Sequence, residues 1–472
     1  MTGERVEEDP MAGERGAAYR QWLAERTTAV VGLARSGVAA ARLIRRLGGR
    51  VLASDSGARE SLSAEARNLE HLGCALWTGG HPDAAFAGTD LVVVSPGVPL
   101  ELPALEAARA RGVPVIGELE LGWRVMEADL IAITGTNGKT TTTALTGELV
   151  GGTVRPLLVG GNIGTPLCAH ALDFPADGLV VAEASSFQLD TTELLRPRVA
   201  AVLNVTPDHL DRHKTFERYV EAKSRIFANQ TPADCAVLNA DDPVAASLAP
   251  RTRARVLWFS RLTPLDHGVF VRDAWIVAKL NGHVEEICPL GEIPLRGQHN
   301  VENVLAAAAC ALWTGLSPES IRRGIGAFRG VPHRIERVLA ERGVTYYNDS
   351  KGTNVASTIK AIESFAEPVI LIAGGKGKGQ DFGPLGQAAR GRVRQAVLIG
   401  ADRAQIRAVL EAAGVPCMDA GSMQEAVAAA RSLAGVGDVV LLSPACASFD
   451  MFDSYEHRGE VFKTCVRELA HA

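Results

Sequence analysis

The stretch AITGTNGKTT at residues 132–141 says more about the fold than any other part of this 472-residue chain. Residues 129–133 have the pattern of a buried strand, and a helix is predicted to begin at Thr140. The Gly-rich turn between them aims backbone N–H groups and the positive end of a helix at a phosphate chain. The longer G-x-x-x-x-G-K-[ST] pattern needs a glycine at Ile133, so this is a shortened loop that starts at Gly135. The sequence predicts a nucleoside triphosphate site.

Each part of the loop has an expected role in binding ATP with magnesium. Lys139 would meet the β- and γ-phosphates, and the Thr140 hydroxyl would ligate a magnesium ion. The predicted ATP contacts within the loop are Gly135, Thr136, Asn137, Gly138, Lys139, Thr140 and Thr141.

Composition excludes several classes of protein. A net charge of −5 gives no support for nucleic-acid binding, and no apolar run approaches the 18 residues that span a bilayer. Residues 1–20 are polar and acidic and lack the apolar core of a signal peptide. The eight cysteines show no C-x-x-C spacing, which is typical of reduced thiols in a cytosolic enzyme. We expect a cytoplasmic monomer with no nucleic-acid or membrane partner.

Short apolar runs alternate with helical stretches, which predicts an α/β fold of three domains with parallel sheets. Residues 1–25 are rich in Gly, Glu and Arg without periodicity and are predicted to be a disordered leader. A Rossmann-like domain is expected at 26–118, a central P-loop ATPase-like domain at 119–330, and a Rossmann-like C-terminal domain at 331–472. Residues 254–290 are predicted to form a small antiparallel sheet.

The first strand of the first domain runs into a glycine-containing turn, and Asp55 follows the second strand about twenty residues later. A ribose-binding acid occupies that place in dinucleotide-binding folds. Ala34, however, stands where the dinucleotide fingerprint has its second glycine. A nucleotide site and an ordinary strand-to-helix turn both remain compatible with this pattern.

Polar clusters follow three strands of the central domain, at residues 160–164, 183–188 and 204–209. Ligands bind at this edge of open α/β sheets, whereas single Asn or Ser residues there often only form turns. Glu183 and His209 are candidate magnesium ligands, although His209 could instead be a hydrogen-bonded histidine. Lys223, on a helix predicted at residues 216–229, has the pattern of a surface lysine.

The loop at residues 134–141 resembles the nucleotide loop of the Mur ligases, and folylpolyglutamate synthases carry a similar one. The motifs GQHN at 297–300 and PHR at 332–334 match Mur ligase nucleotide contacts. NDSKGTN at 348–354, GGKGKG at 374–379 and SPACASFD at 443–450 are similar to motifs of the D-glutamate-adding member. In these motifs Gly352 replaces the usual alanine, and Lys376 stands where some relatives carry aspartate. The resemblance covers residues 28–467.

This resemblance implies an ATP-dependent amide ligase that adds D-glutamate to UDP-N-acetylmuramoyl-L-alanine through an acyl phosphate, in peptidoglycan precursor synthesis. It implies catalytic roles for Lys139, His209 and Lys223. The implied magnesium ligands are Thr140, Glu183, His209 and a carbamylated Lys223. Further implied ATP contacts are Asn303, Arg334 and Asp349. The implied contacts of the UDP substrate are Arg35, Ser36, Asp55, Ser56, Asn162, Ser185 and Gln188. Those of D-glutamate are Lys351, Thr353, Lys378, Ser448, Phe449 and Tyr455.

Three other functions are compatible with parts of the sequence. Another Mur ligase or a folylpolyglutamate synthase would share the phosphate loop, but the latter lacks the first domain. A nicotinamide-dependent oxidoreductase would use the first domain, but Ala34 and the midchain phosphate loop count against it. A regulatory NTPase would leave the lysine-rich motifs after residue 348 unexplained.

Overall fold

The computed structural model describes residues 15–153, 155–377 and 379–469. These residues form three mainly parallel β-sheets covered by helices, which confirms the predicted α/β fold with three domains. The chain packs into two compact units. The first extends to Glu292 and takes in Glu302–Gly326, and the second consists of Ile293–Val301 and the described chain from Ala327. No helix within the described ranges is long and apolar enough to span a membrane.

The first sheet has five parallel strands in the order β3-β2-β1-β4-β5. Its strands are β1 Thr27–Val31, β2 Arg50–Asp55, β3 Ala75–Thr78, β4 Leu91–Val94 and β5 Val115–Gly117. The accompanying helices are α1 Ala17–Ala24, α2 Arg35–Leu47, α3 Ala64–Arg67, α4 Pro103–Ala110 and α5 Glu118–Val125. Helix α2 begins directly after the turn that follows β1 and ends at Gly48, whose left-handed φ of 100° suits a glycine.

The prediction of a disordered leader is wrong for the part of it that α1 occupies. Tyr19 and Leu23 lie four residues apart, hence on one helix face, and both are 0% exposed against α2 and α5. Arg15 donates to the carbonyls of Trp123 and Ala128 at 3.1 and 2.7 Å. The sequence did not predict this helix, because two apolar residues among Gly, Glu and Arg give too weak a helical periodicity of hydrophobic residues. Residues 1–14 of the predicted leader lie outside the described residues.

The central sheet has nine strands in the order β14-β13-β12-β11-β10-β9-β6-β8-β7. They are β6 Asp129–Thr134, β7 Leu157–Gly161, β8 Leu179–Glu183, β9 Val199–Val202, β10 Cys235–Asn239, β11 Arg255–Ser260, β12 Gly268–Arg272, β13 Trp275–Leu280 and β14 His283–Pro289. Its order places β6, which enters the phosphate loop, between β8 and β9. The polar clusters after β8 and β9 therefore flank that loop.

The prediction that residues 254–290 form a small antiparallel sheet of their own is wrong, because these strands belong to the central sheet. Strand β11 pairs in parallel with β10, and only β12–β14 are joined by antiparallel pairing. Strands β11 to β14 extend the central sheet one after another from the edge of β10. The following helices are α6 Lys139–Gly151, α7 Ser186–Leu189, α8 Leu210–His213, α9 Phe216–Ser224, α10 Pro243–Ser247, α11 Gln298–Trp313 and α12 Pro318–Ala327.

The third sheet has six strands in the order β15-β16-β20-β17-β18-β19, with only β15 antiparallel to its neighbour. They are β15 Glu336–Glu341, β16 Val344–Asn348, β17 Val369–Gly374, β18 Val393–Ile399, β19 Cys417–Asp419 and β20 Val439–Leu442. The helices are α13 Val355–Glu363, α14 Gly383–Ala389, α15 Arg403–Ala412, α16 Met423–Leu433 and α17 Tyr455–Leu469. The central strands β16, β20 and β17 lead directly into the three sequence motifs of this unit.

Candidate active site

The phosphate loop connects β6 to α6 as the sequence predicted. Gly138 precedes α6 with a φ of 85°, and a Cβ there would lie 2.3 Å from Asn303 Oδ1, so only glycine fits. Lys139 Nζ donates to the carbonyls of Gly135 and Thr136, both at 2.9 Å. Its ammonium is thereby held over the loop, where a phosphate chain would bind.

Asn204, at the end of β9, clamps the same loop. Its side chain accepts from Asn137 N at 2.9 Å and donates to Asn137 O at 3.2 Å. Its backbone carbonyl accepts from Thr136 N at 2.9 Å. The sequence placed Asn204 in a polar cluster but gave it no role, because an asparagine after a strand also fits an ordinary turn.

Lys223 is buried, so the interpretation as a surface lysine is wrong. Its side chain is 1% exposed, and Nζ donates to Gly135 O at 2.8 Å. The ammonium also lies 4.6 Å from the centre of the Tyr219 ring. Burial, with the charge of Lys139 nearby, holds the pKa of Lys223 well below its usual range. The neutral form of the Lys223 amine is therefore easier to populate than that of a surface lysine.

Glu183 provides the observation that suits a magnesium ion. This carboxylate at the end of β8 is 2% exposed, and Oε1 accepts from Asn162 Nδ2 at 2.8 Å. Oε2 is buried and has no hydrogen-bond partner among the described residues. An unpaired buried carboxylate oxygen is costly unless a cation or donor meets it. Magnesium prefers oxygen ligands, so Glu183 and the buried hydroxyl of Thr140 fit the ion.

No cluster of three or more His, Cys, Asp or Glu side chains with metal-binding spacing occurs in the described ranges. Of the predicted magnesium ligands, only Glu183 and His209 belong to these four residue types. A magnesium site beside the phosphate loop would therefore also need Thr140 and a carbamylated Lys223. The His209 side chain is half exposed, and its ring lies 5.0 Å from that of Phe187. Its role as a metal ligand stays a prediction.

The buried, hydrogen-bonded histidine of this region is His213. It is 6% exposed, and its Nε2 lies 3.0 Å from Ser186 Oγ. Burial lowers its pKa, with the charges of His209 and Lys223 acting in the same direction. The role of a hydrogen-bonded histidine, which the sequence offered as the alternative for His209, is therefore filled by His213, four residues later.

Ser185 and Gln188, predicted to contact the UDP substrate, form a capping box at the start of α7. Ser185 Oγ accepts from Gln188 N at 3.2 Å, and Gln188 Oε1 accepts from Ser185 N at 3.0 Å. Gln188 is 2% exposed. The local S-x-x-Q spacing could have indicated this structural role from sequence. A substrate contact by either residue stays a prediction.

A cavity of about 550 Å³ in the first unit brings together the predicted UDP contacts Arg35, Ser36, Asp55 and Ser56. Asp55 accepts from the amides of Leu33 and Gly57, at 2.6 and 2.8 Å. This carboxylate therefore shapes the cavity wall. Arg35 donates to Gly164 O at 3.3 Å, which links α2 to the loop that carries Asn162.

The remaining predicted ATP contacts fall in both compact units. In the first, Asn303 Oδ1 accepts from Thr142 Oγ1 at 3.2 Å beside the phosphate loop. In the second, Arg334 Nε is buried without a hydrogen-bond partner in the described part of the chain. Asp349 accepts from Ser443 Oγ at 2.7 Å, and burial raises its pKa to about 6. Asp349 is 5% exposed, and its contact with ATP stays a prediction.

Four of the predicted D-glutamate residues lie on the loops after β16 and β20, and Tyr455 is the first residue of α17. Lys351 Nζ is 5.7 Å from the centre of the Tyr455 ring, and Tyr455 O accepts from Ser350 Oγ at 2.8 Å. Ser448 is 2% exposed, whereas the next residue, Phe449, is 71% exposed. Thr353 donates its amide to Lys351 O at 2.9 Å. Lys378 lies outside the described residues.

Arg458 was absent from the prediction, although it joins two of these loops. It is 1% exposed and donates to Ser350 Oγ at 2.9 Å, Ser350 O at 2.8 Å and Cys446 O at 3.1 Å. Burial lowers its pKa to about 10. Its only sequence signal was the YEHRG stretch after the SPACAS motif.

Comparison with known proteins matches three regions of the chain to domains of one family. Residues 26–117 match the Mur ligase MurD-like N-terminal domain, 133–311 the Mur ligase middle domain, and 333–446 the Mur ligase glutamate ligase domain. The UDP-N-acetylmuramoylalanine–D-glutamate ligase of Koribacter versatilis is 48% identical over 93% of this chain and 97% of its own. The ligase of the same name from Acidobacterium capsulatum is 49% identical over 94% and 96%.

Solved structures show the same fold at low sequence identity. The UDP-N-acetylmuramate–alanine ligase MurC of Thermotoga maritima superposes with a TM-score of 0.59 at 19% identity, covering 95% of this chain and all of that one. MurF of Acinetobacter baumannii gives a TM-score of 0.57 at 20% identity, over 73% and 77% of the two chains.

The chain belongs to the Mur ligase family. Mur ligases form amide bonds with ATP and magnesium during peptidoglycan precursor synthesis, and this chain is such a ligase. Its relatives at 43–49% identity are named as the D-glutamate-adding enzymes.

Proposed function

We propose that this ligase joins D-glutamate to UDP-N-acetylmuramoyl-L-alanine, with ATP converted to ADP and phosphate. The observation that carries the proposal is the match, over 93% of the chain, to relatives that are named for this reaction. The lysine-rich loops of the third sheet suit an amino-acid substrate with two carboxylates. An oxidoreductase or a regulatory NTPase would leave these loops without a role.

In the first step, the substrate carboxylate attacks the γ-phosphate and an acyl phosphate forms as ADP leaves. A carboxylate is a poor acyl donor, so this activation must precede amide formation. Phosphoryl transfer depends mainly on alignment and charge neutralisation. Lys139 lies on the phosphate loop and would neutralise the β- and γ-phosphates, while Asn303 and Arg334 would hold the nucleotide.

Magnesium, when bound, would neutralise phosphate charge during this step. Thr140 and Glu183 would hold it, together with His209 and a carbamylated Lys223. Carbamylation joins the neutral Nζ of Lys223 to carbon dioxide and releases one proton, which leaves an anionic oxygen donor. The depressed pKa of this buried lysine supports the proposal, since only the neutral amine reacts.

In the second step, the amine of D-glutamate attacks the acyl phosphate, and the tetrahedral intermediate collapses to an amide with loss of phosphate. Lys351, Thr353, Lys378 and Ser448 would bind the two carboxylates, with backbone groups of Phe449 and Tyr455 assisting. Water must be excluded, because it would hydrolyse the acyl phosphate.

The UDP part of the other substrate would occupy the 550 Å³ cavity of the first unit. Arg35 and Ser36 would meet the diphosphate at the start of α2, and Asp55 and Ser56 the uracil or ribose. Asn162, Ser185 and Gln188 would contact the muramoyl part. We further propose a cytoplasmic monomer; all eight cysteines are unpaired, which suits a reducing compartment.

Phosphate release tests the proposed reaction. The rate should depend on D-glutamate and UDP-N-acetylmuramoyl-L-alanine together, and mass spectrometry should detect the UDP-muramoyl dipeptide. Release that is equally fast without either substrate would indicate an NTPase of another kind. A parallel titration with NAD distinguishes the oxidoreductase, because saturable NAD binding without binding of the UDP substrate would contradict the assignment of the first domain.

A further inference from the structure

A short segment after β9 joins the phosphate loop to the cavity of about 550 Å³ in the first unit. At its start, Thr136 Oγ1 of the phosphate loop accepts from Thr206 N at 3.0 Å and donates to Thr206 O at 3.1 Å. Farther along the segment, on α8, Arg212 reaches the turn at residues 96–98, which lines the cavity. The two ligand sites proposed for the first unit are therefore connected through residues 206–212.

Arg212 donates to three successive backbone carbonyls of this turn. Nη1 donates to Gly97 O at 3.0 Å, and Nη2 donates to Pro96 O at 3.4 Å and to Val98 O. A guanidinium is a planar group with five donors, so it can hold several acceptors at once, whereas a lysine ammonium is a compact point charge. One side chain of the central domain therefore holds a turn that belongs to the first sheet.

The Arg212 side chain and the helix that carries it are themselves fixed. Its guanidinium carbon lies 5.2 Å from the centre of the Phe187 ring, which is a cation–π distance. Its amide donates to His209 O at 3.0 Å. Helix α8 lies between two residues of positive φ, His209 at 52° and Lys214 at 69°. Such backbone persists where surrounding contacts fix it, and the bonds of Arg212 to the turn are contacts of this kind.

We propose that Arg212 is a positioning residue for the UDP substrate, because it fixes the turn at 96–98 as a wall of the cavity before the substrate binds. The proposal rests on the assignment of this cavity to UDP made above. A wall that is already fixed spares the substrate the cost of ordering it. The segment that carries Arg212 also contacts the phosphate loop through Thr206, so the same bonds align the substrate carboxylate with the γ-phosphate.

The test measures ligation by Arg212→Ala and Arg212→Lys. In Arg212→Ala, kcat/KM for UDP-N-acetylmuramoyl-L-alanine should fall about a hundredfold, the cost of misplacing a reactant by about 1 Å. The KM for D-glutamate should stay near its wild-type value, because the Arg212 contacts described above all lie within the first unit. Arg212→Lys keeps the charge but cannot hold three carbonyls, so its kcat/KM should lie between the two. Arg218→Ala, which removes an exposed cation from α9, is the matched control.

Each outcome separates a positioning role from a structural one. A loss in Arg212→Ala no larger than that in Arg218→Ala would overturn the proposal. Equal increases in the KM for D-glutamate and for the UDP substrate would indicate general damage to the fold and would also contradict it. If Arg212→Ala does not fold in a thermal melt, the same comparison made on Arg212→Lys decides. Failure of the wild-type protein to bind the UDP substrate in calorimetry would instead contradict the proposed function of the cavity.

Discussion

The two lysine-bearing loops of this ligase hold their cations in opposite ways. In the first unit, the ammonium groups of Lys139 and Lys223 both donate to Gly135 O, and Lys223 is 1% exposed. In the second unit, the Lys376 backbone is fixed while its side chain stays exposed. Protein carbonyls position the lysines that would act on phosphate, whereas the side chain of Lys376 projects from a fixed backbone into solvent. We expect the lysines of the first unit to control turnover, and the lysine-bearing loop of the second unit to control affinity for the amino acid.

Lys139→Ala should have the largest effect. Turnover is expected to fall about a thousandfold, at the upper limit of removing one preorganised charge-stabilising donor. The fold should persist, because the hydrogen bonds of this lysine to Gly135 O and Thr136 O lie within the phosphate loop itself. Steady-state ligation measured beside a thermal melt checks both points. Near-normal ligation by a folded variant would remove the phosphate loop from the mechanism.

Lys223→Ala should be nearly inactive and should recover partly when short carboxylic acids are added. The added carboxylate would fill the anionic position that the proposed carbamate occupies. Lys279→Ala, which removes a surface lysine of the central sheet, should show neither effect. Full activity of Lys223→Ala without any additive would show that this buried amine takes no part in the reaction.

Gly138→Ala and Gly379→Ala form a matched pair across the two loops. Both glycines have positive φ, 85° and 73°, where an alanine costs about 1–2 kcal/mol. Only at Gly138 would the new Cβ also collide, 2.3 Å from Asn303 Oδ1, while at Gly379 nothing lies within 4 Å. Gly138→Ala should therefore raise the KM for ATP, and Gly379→Ala should lose only stability. Equal ATP constants in the two variants would contradict a tight phosphate loop.

Ser448→Ala should have the smallest effect and a selective one. The KM for D-glutamate is expected to rise about tenfold, since one hydrogen bond to a charged group is lost, with kcat nearly unchanged. Lys378→Ala should act in the same direction. If the ATP constant rises instead, these residues belong to the nucleotide site, and the contrast between the two loops disappears.

Sequence patterns predicted the phosphate loop and the main buried strands, because both depend on short-range spacing. The motif fixed β6, the glycines and the start of α6 to within one residue. Lys223 was misjudged, because burial of one lysine depends on packing between α9 and the loop after β6, which no local period reports. The hydrogen bonding of Asp55, which shapes its own cavity, likewise depends on the folded turn.

Motif position also could not distinguish ligand contacts from structural ones. Ser185 and Gln188 occupy a cluster after a strand, where both roles are common, and the S-x-x-Q spacing that indicates their capping box does not exclude a substrate contact. Arg458 shows the reverse case. The YEHRG stretch that contains it indicated no role for a single arginine, yet Arg458 joins two loops through Ser350 and Cys446.

Helix α1 lies before residue 26, where the match to the family's first domain begins. Its covalent attachment determines how well it binds, since a tethered segment has an effective concentration in the millimolar range, which a free peptide rarely reaches. A chain shortened to the matched region would lose the contacts of Arg15 with the carbonyls of Trp123 and Ala128, and a separate peptide would restore them only weakly. The unit that folds here is therefore longer than the unit that homology marks out, and gene boundaries chosen from alignment alone would cut through it.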